Sequence, residues 1–212
     1  LFLLATCIFS QYHLQEWGSI TSLLTPSGIQ ISENGTVYAS TSGGLLEFNP
    51  NIEKFTFIKM EDGLIYLDLS CIEIDNQGRL WLGGTYPNGY LQVFDTDKGL
   101  VRKITHLDVT EIKMIRIGKS NAFAVYEGTT SSNLGILEFE LDDGIPDYKD
   151  YYNYFYEVAI TEIRDLDIFQ DTLLYVTTDQ GIFAGNTRGN LKSSENWDIV
   201  YNDNDAKQYL PF

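Results

Sequence analysis

Histidine and cysteine are the side chains that most often act as nucleophiles, general bases or zinc ligands, and this chain has few of them. Its histidines are His13 and His106, and its cysteines are Cys7 and Cys71. Neither histidine has a cysteine or carboxylate at the spacing of a zinc motif. No Ser-His-Asp set can be assembled from the remaining pattern. The sequence therefore predicts no catalytic residue, no metal site and no cofactor.

Carboxylates are abundant, and two short runs resemble the opening of a calcium loop. They are DTDKG at residues 95–99 and NDND at residues 202–205. Both lack the later ligands and the terminal glutamate of such a loop, so we interpret them as ordinary turns. The glycine-rich GGTYPNG joins two strands, and no helix N-terminus follows it to hold a phosphate.

The charge balance limits the partners that the chain can have. It carries 14 Lys and Arg against 30 Asp and Glu, a formal net charge of −16. Nucleic acid and anionic membrane surfaces would both be repelled by this charge. A cation-binding acidic surface and simple solubility both remain open as reasons for it.

The elements that would have to position any functional residue come from an internal repeat. Tyr38, Trp81, Ala124 and Tyr175 occupy one landmark in four similar stretches, and their separations are 43, 43 and 51 residues. A second landmark, seven residues upstream of each, is an isoleucine in all four copies: Ile31, Ile74, Ile117 and Ile168. A period in the low forties with short strands is typical of propeller blades.

Each copy divides into four short strands. The first strands alternate apolar and polar residues, whereas the second strands are more continuously apolar, as expected of strands covered on both faces. A glycine precedes each third strand: Gly44, Gly89, Gly135 and Gly181. No segment has a sustained 3.6-residue apolar period. We therefore predict an all-β protein, a β-propeller with four four-stranded blades; a β-sandwich, the main rival, does not explain the period.

The two ends of the sequence suggest the domain organisation. Residues 1–10 resemble the apolar part of a secretory signal, with a buried strand as the alternative. We predict that residues 11–212 form propeller blades and that the propeller continues beyond residue 212. Four blades can close a ring, but we expect further blades of the same chain and a ring of six to eight. No other segment is long and apolar enough to cross a membrane.

Propellers commonly bind ligands where loops surround the mouth of the central channel. On the loops between second and third strands, and between blades, the candidates are Asp62, Tyr66, Tyr86 and Glu127. A second candidate is the segment at residues 147–158, where six of twelve residues are Tyr or Phe. It is either a long paired outer hairpin or an aromatic patch for a carbohydrate or protein.

The stretches NGTVYASTSGGLLEFNP and QGRLWLGGTYPNGYLQVFD resemble the bacterial two-component-regulator propeller repeat. The later blades depart from it: Ala124 stands where the repeat has tryptophan, and Gly185 interrupts the third strand. The repeat occurs in periplasmic ligand-sensor domains and in exported proteins, including the N-terminal propeller of a type IX secretion component. The resemblance implies a propeller fold and export, and it implies no catalytic residue.

Three functions remain as hypotheses. The first is an exported, non-catalytic binding or sensor module, periplasmic or on the cell surface, that recognises a glycan or protein ligand. The second is a propeller enzyme of the lyase or lactonase kind with a metal in the channel. The third is a scaffold within a secretion or surface assembly.

Overall fold

The computed structural model describes residues 23–105, 107–128, 134–154 and 159–202, and all structural statements below refer to these residues. They form sixteen strands and two one-turn 3-10 helices, Met60–Asp62 and Ser194–Asn196, with no α-helix in the described part. The strands make four separate four-stranded antiparallel sheets, in each of which consecutive strands are neighbours. This arrangement confirms the all-β prediction and the four propeller blades.

The first two blades are built from strands β1 to β8. Their bounds are β1 Pro26–Ile31, β2 Val37–Thr41, β3 Gly44–Asn49 and β4 Lys54–Ile58 in blade one, and β5 Leu69–Ile74, β6 Leu80–Gly84, β7 Tyr90–Asp95 and β8 Gly99–Ile104 in blade two.

The last two blades contain strands β9 to β16. Their bounds are β9 Glu111–Ile117, β10 Asn121–Glu127, β11 Leu134–Asp142 and β12 Ile145–Tyr152 in blade three, and β13 Ile163–Phe169, β14 Leu173–Thr178, β15 Gly181–Asn186 and β16 Trp197–Asn202 in blade four.

The core lies between the blades. One apolar cluster joins blades one and two and contains Tyr38 and Leu80. A second, around Trp81, joins blades two and three, and a third, around Phe123, joins blades three and four. Each blade is therefore held by the neighbour on which it stacks, as expected of repeat architectures.

Burial along the strands depends on whether a blade has neighbours on both sides. All five residues of β6 are buried, as are five consecutive residues of β10. In β2 and β14, buried and half-buried residues alternate instead. The difference arises because blades one and four each have a neighbour on one side only within the described chain.

The glycines before the third strands serve two purposes. Gly44 and Gly181 have φ of 123° and 138°, a left-handed conformation that favours glycine. At Gly89, a Cβ would come within 2.5 Å of Val109 in the linker to the next blade. At Gly135, it would come within 2.3 Å of the carbonyl oxygen of Tyr152. Both reasons that the sequence offers for a glycine, positive φ and close approach, are therefore realised.

The outer hairpin of blade three differs from its prediction. The run KDYYNYFY at residues 149–156 suggests a fourth strand that begins near Lys149, but β12 begins at Ile145 and pairs with β11 along its whole length. Asp143 and Gly144, with φ of 50° and 71°, form the turn between them. Two consecutive residues with positive φ match the tight hairpin turn favoured by Asp-Gly, so the chain reverses earlier than the aromatic run suggests.

Candidate functional site

The four predicted rim residues lie on three segments: Asp62 and Tyr66 on the linker between β4 and β5, Tyr86 on the turn between β6 and β7, and Glu127 at the end of β10. Asp62 ends the first 3-10 helix, and its carboxylate accepts the Lys59 N–H at 2.9 Å. The ring of Tyr66 packs on that of Tyr90, with centroids 4.8 Å apart, and Tyr86 is 72% exposed. Glu127 ends β10, 3.3 Å from Nζ of Lys113. In the described chain, no hydrogen bond or ion pair joins any two of the four.

These loops are held by a polar contact that recurs in every blade. In each, a residue just before the first strand bonds to the end of the second strand or the turn that follows it, 17 or 18 positions later. The pairs are Thr25 with Ser42, Asp68 with Thr85, Thr110 with Glu127, and Thr161 with Asp179. We call these contacts the linker clasps. Their spacing of 17 or 18 residues is a sequence signal that the prediction of the rim residues did not use.

The clasp of blade four has the most perturbed carboxylate. Burial of Asp179 would by itself raise its pKa. Hydrogen bonds from the Gln180 side chain, from the Thr161 side chain and backbone, and from the Glu162 N–H together lower the pKa to about 2. The carboxylate is thus ionised and fixed across the physiological range. The clasps give the rim loops a defined geometry, and a ligand-binding role for the four rim residues stays a prediction.

A cavity of about 580 Å³ lies at the end of the blades opposite the rim loops. It is beside the turns that join the first to the second strand in blades two to four. Gln30, Glu73, Arg116 and Asp167 share one position in the four repeats, and three of them line this cavity. Gln30 Nε2 donates to Glu73 at 3.1 Å, and Arg116 lies 3.5 Å from Glu73 and 3.0 Å from Asp165. We call this series of contacts between the first strands of successive blades the inter-blade belt.

The belt shapes the electrostatics of the cavity. Burial raises the pKa of Glu73, and the Arg116 guanidinium opposes this effect. The charges of the belt are largely paired with one another. They therefore stabilise the contacts between blades and do not converge on a single ligand-binding point. No group of three or more His, Cys, Asp or Glu that could hold a metal ion is found among the described residues. His13 and His106 lie outside those residues.

A second cavity, of about 410 Å³, lies between the linker that enters blade three and the outer hairpin of that blade. Its lining residues are Leu107, Asp108, Val109, Tyr126, Leu137, Tyr148, Tyr151 and Asn153. We call this the tyrosine cleft. Tyr148 and Tyr151 on β12 are 47% and 45% exposed, whereas Tyr126 on β10 is buried.

The phenol groups of the cleft lie close enough to influence one another. Burial raises the pKa of Tyr126 to about 12, and Tyr151 and Tyr148 add to the increase. Burial also raises the pKa of Tyr148. The Tyr126 and Tyr148 hydroxyls are therefore protonated at physiological pH and can both donate and accept hydrogen bonds. Asp108 and Asn153 add a carboxylate and an amide to the lining.

One cation is already associated with this hairpin. Lys192, from blade four, lies 2.6 Å from the Asp150 carboxylate and 4.9 Å from the centroid of the Tyr151 ring. The pKa of Lys192 is raised by its contact with Asp150. The ammonium and the ring thus form a cation–π contact that helps to orient Tyr151.

The tyrosine cleft contains part of the predicted aromatic segment, because Tyr148 and Tyr151 belong to it. Tyr154 is 53% exposed but does not line the cleft, and residues 155–158 lie outside the described chain. Asn153 also belongs to that segment, whereas sequence analysis missed Tyr126 and Asp108 as members of the cleft. Tyr126 and Asp108 come from other elements of the fold, and no local motif marks them.

No protein-family model matches the sequence, and no curated protein matches it significantly. The solved structures of similar fold include the following three. PorZ, a surface component of the type-IX secretion system of Porphyromonas gingivalis, is 15% identical, with a TM-score of 0.62 over 87% of this chain and 24% of that one. The extracellular domain assigned to a hybrid two-component system of B. thetaiotaomicron is 12% identical, with a TM-score of 0.58 over 85% and 23%.

The third is a gluconolactonase from Xanthomonas campestris, 11% identical, with a TM-score of 0.59 over 82% of this chain and 61% of that one. At these identities the likeness establishes the fold. The chain spans about a quarter of the length of the first two structures. No helix among the described residues is long and apolar enough to cross a membrane.

Proposed function

We propose that this chain is part of an exported, non-catalytic β-propeller that binds a glycan or protein ligand in the periplasm or at the cell surface. The observation that carries the proposal is the tyrosine cleft, a concave site with aromatic walls and a few polar groups, as in many binding pockets. The fold supports export, since the similar structures include an extracellular domain and a secretion component of the cell surface.

The chemistry of the cleft favours a hydroxyl-rich ligand. Tyr126, Tyr148 and Tyr151 offer apolar ring surface together with hydroxyl groups. Asp108 and Asn153 can accept hydrogen bonds from a ligand. Among the described residues, no Lys or Arg lines the cleft, so these residues offer an anionic ligand no cationic partner there. A neutral glycan fits these properties, and a tyrosine-contacting protein segment is the other ligand class.

Binding can be tested on the purified chain with a panel of neutral oligosaccharides and peptides, followed by titration calorimetry of each ligand found. The Tyr148→Ala and Tyr151→Ala exchanges should each weaken binding about tenfold or more, which corresponds to about 1.4 kcal/mol. Tyr86→Ala is the matched control, because Tyr86 is an exposed tyrosine on the predicted rim of blade two. Thermal melting of each variant checks that the fold is retained.

The outcomes separate the two candidate sites. Loss of binding in the cleft variants with normal binding by Tyr86→Ala supports the tyrosine cleft. Loss with Tyr86→Ala alone would move the site to the rim with Asp62, Tyr66 and Glu127. A chain that binds no glycan and no peptide would argue against the binding module altogether.

A lactonase-like or lyase-like enzyme with a channel metal is the second candidate, and the gluconolactonase of similar fold is the observation that favours it. Sugar-lactone hydrolysis with and without added divalent cations, and after chelation, tests it directly. Metal-dependent turnover that survives Tyr148→Ala would favour the enzyme. A scaffold role in a secretion or surface assembly is the third, favoured by the likeness to PorZ.

A further inference from the structure

The side of blade one that points away from blade two is apolar across all four strands. Two cross-strand rows cover it. The rows are Ile29, Ala39, Leu46 and Phe57, and Ile31, Val37, Phe48 and Phe55. We call this surface the blade-one face. Four of its side chains are at least half exposed: Ile29 and Ile31 at 66%, Phe55 at 56% and Phe57 at 50%.

The repeat provides an internal reference for this exposure. Ile29 is equivalent to Ile72 and Ile115, each 43 residues further along the chain. Ile72 is 7% exposed and Ile115 is 2% exposed. Ile72 is buried in the cluster shared with blade one, and Ile115 in the cluster shared with blade two. The residue type is the same at all three positions, so the difference in burial comes from the neighbouring blade.

The size and apolar character of the blade-one face indicate what kind of partner would cover it. A contiguous exposed apolar surface marks an interaction site in a soluble protein. The blade-one face spans the full width of a four-stranded sheet, which a single strand or a short peptide cannot cover. In both equivalent positions of this molecule, the cover is the second-strand aromatic side of the preceding blade, where Tyr38 or Trp81 lies. The shape and chemistry therefore match another blade.

We propose that the blade-one face receives a further four-stranded blade of the same polypeptide, which precedes blade one in the ring. Every blade junction described here joins units that are consecutive in one chain. The PorZ and two-component structures that share this fold are about four times longer than the matched segment. A neighbouring blade from the same chain is thus the continuation of the interface already present three times.

The inter-blade belt argues against a second copy as the occupant. Gln30 Nε2 already donates to Glu73 at 3.1 Å and to the Ile72 carbonyl at 3.4 Å. Within the described residues, the side-chain carbonyl oxygen of Gln30 accepts no hydrogen bond, so the covering blade should offer a donor to this oxygen. Blade four of a second copy would present Asp167 at this position, and an ionised carboxylate can only accept. We therefore expect Lys, Arg, Asn or Gln at the equivalent position of the covering blade.

Cysteine labelling tests the proposal. Ile29→Cys and Phe57→Cys place a thiol on the blade-one face, and Glu33→Cys in an exposed turn is the matched control. All variants carry Cys7→Ser, which removes the other native thiol, and native Cys71 is buried with its pKa raised to about 12, so it contributes little background. Each variant is made both in the 212-residue chain and in the complete product of its gene, and maleimide labelling is followed in native buffer.

We expect the two face thiols to react at the rate of the Glu33→Cys control in the 212-residue chain. In the complete product they should react about a hundredfold more slowly, because labelling would then require local opening. The control should react equally in both. A second, variant-free measurement is the size of the gene product, which should contain further repeats of the same period.

Each other outcome overturns the proposal. Equal labelling in both chains would mean that nothing covers the face. Protection that appears in the 212-residue chain and is lost on dilution would identify a second copy. Protection in that chain that is independent of concentration would identify residues 1–22 or 203–212 as the cover. None of these results depends on ligand binding at the tyrosine cleft.

Discussion

The carboxylate of Asp75 lies 2.6 Å from Nε of Arg79, and both side chains are almost entirely buried. The same carboxylate accepts the Trp81 indole N–H at 3.2 Å and two backbone N–H groups of its own turn. Arg79 extends further and donates to the Gly144 carbonyl of blade three at 2.6 Å. The turn of blade two is therefore bonded to the hairpin of the next blade through this buried ion pair.

Removal of one partner of this pair should be costly. Asp75→Ala leaves the Arg79 guanidinium buried without its anion, and we expect a loss of about 3–5 kcal/mol in the free energy of unfolding. Urea unfolding monitored by tryptophan fluorescence measures it. Lys98→Met is the control, because the Lys98 side chain, which pairs with Asp95 in the outer hairpin, is 81% exposed, and pairs with such an exposed partner contribute at most about 1 kcal/mol. Equal effects of the two exchanges would contradict the assigned role of Asp75.

The Asp179 clasp should make stability depend on acidity. The pKa of Asp179 is about 2 in the folded chain, against an ordinary value of 3.8. A carboxyl group whose pKa falls on folding stabilises the protein above its unfolded pKa. That contribution is lost as the pH drops from 3.8 to about 2. Since the side chain is partly exposed, we expect about 1 kcal/mol rather than the full linkage value.

The measurement is the free energy of unfolding of the wild type and of Asp179→Asn at pH 5 and near pH 2. The variant should be less stable by about 1 kcal/mol at pH 5 and equal to the wild type at the lower pH. A constant difference at both values would show that the stabilisation comes from packing and not from the ionised carboxylate.

The repeat made the fold predictable from sequence because its signal is carried by many residues at once. Trp81 and its equivalents keep their spacing, and alternation in the first strands identifies the half-buried faces. Because of the aromatic run at residues 147–158, the start of β12 was predicted too late in the sequence. Asp143 and Gly144 are nevertheless a recognisable hairpin signal. The tyrosine cleft was not predictable in full, since Tyr126 and Asp108 meet Tyr148 only through the packing of a linker on a hairpin.

Gln92 is a buried amide whose role also depends on packing between segments. It is 0% exposed, accepts the Ile65 N–H at 3.0 Å and donates to the Tyr66 carbonyl at 3.0 Å. Gln92→Leu leaves both backbone groups of the linker without a partner, and each such group costs about 1–3 kcal/mol. We expect lower stability and faster hydrogen exchange of the Ile65 amide. Gln77→Leu, at an exposed position with a 3.3 Å bond to Asp143, should change neither.

The exchange Gly84→Ala tests how tightly the ring of Tyr90 is packed beside the rim residue Tyr66. A Cβ at this residue would come within 2.3 Å of the Tyr90 ring, and the φ of Gly84 is not in the left-handed region. The cost of Gly84→Ala should therefore be steric, about 1–3 kcal/mol. Tyr90 is 1% exposed, packs on Tyr66 and donates to the Asp68 carbonyl at 3.0 Å, so its ring cannot turn away without breaking these contacts.

A double-mutant cycle isolates this contact. In a Tyr90→Leu background the ring is absent, and Gly84→Ala should then cost much less than it does in the wild type. Chemical denaturation of the four proteins gives the coupling free energy. If Gly84→Ala were equally destabilising in both backgrounds, its cost would have to arise elsewhere in β6. A large coupling would show that the cost of Gly84→Ala arises from contact with the Tyr90 ring, which lies against Tyr66 of the predicted rim.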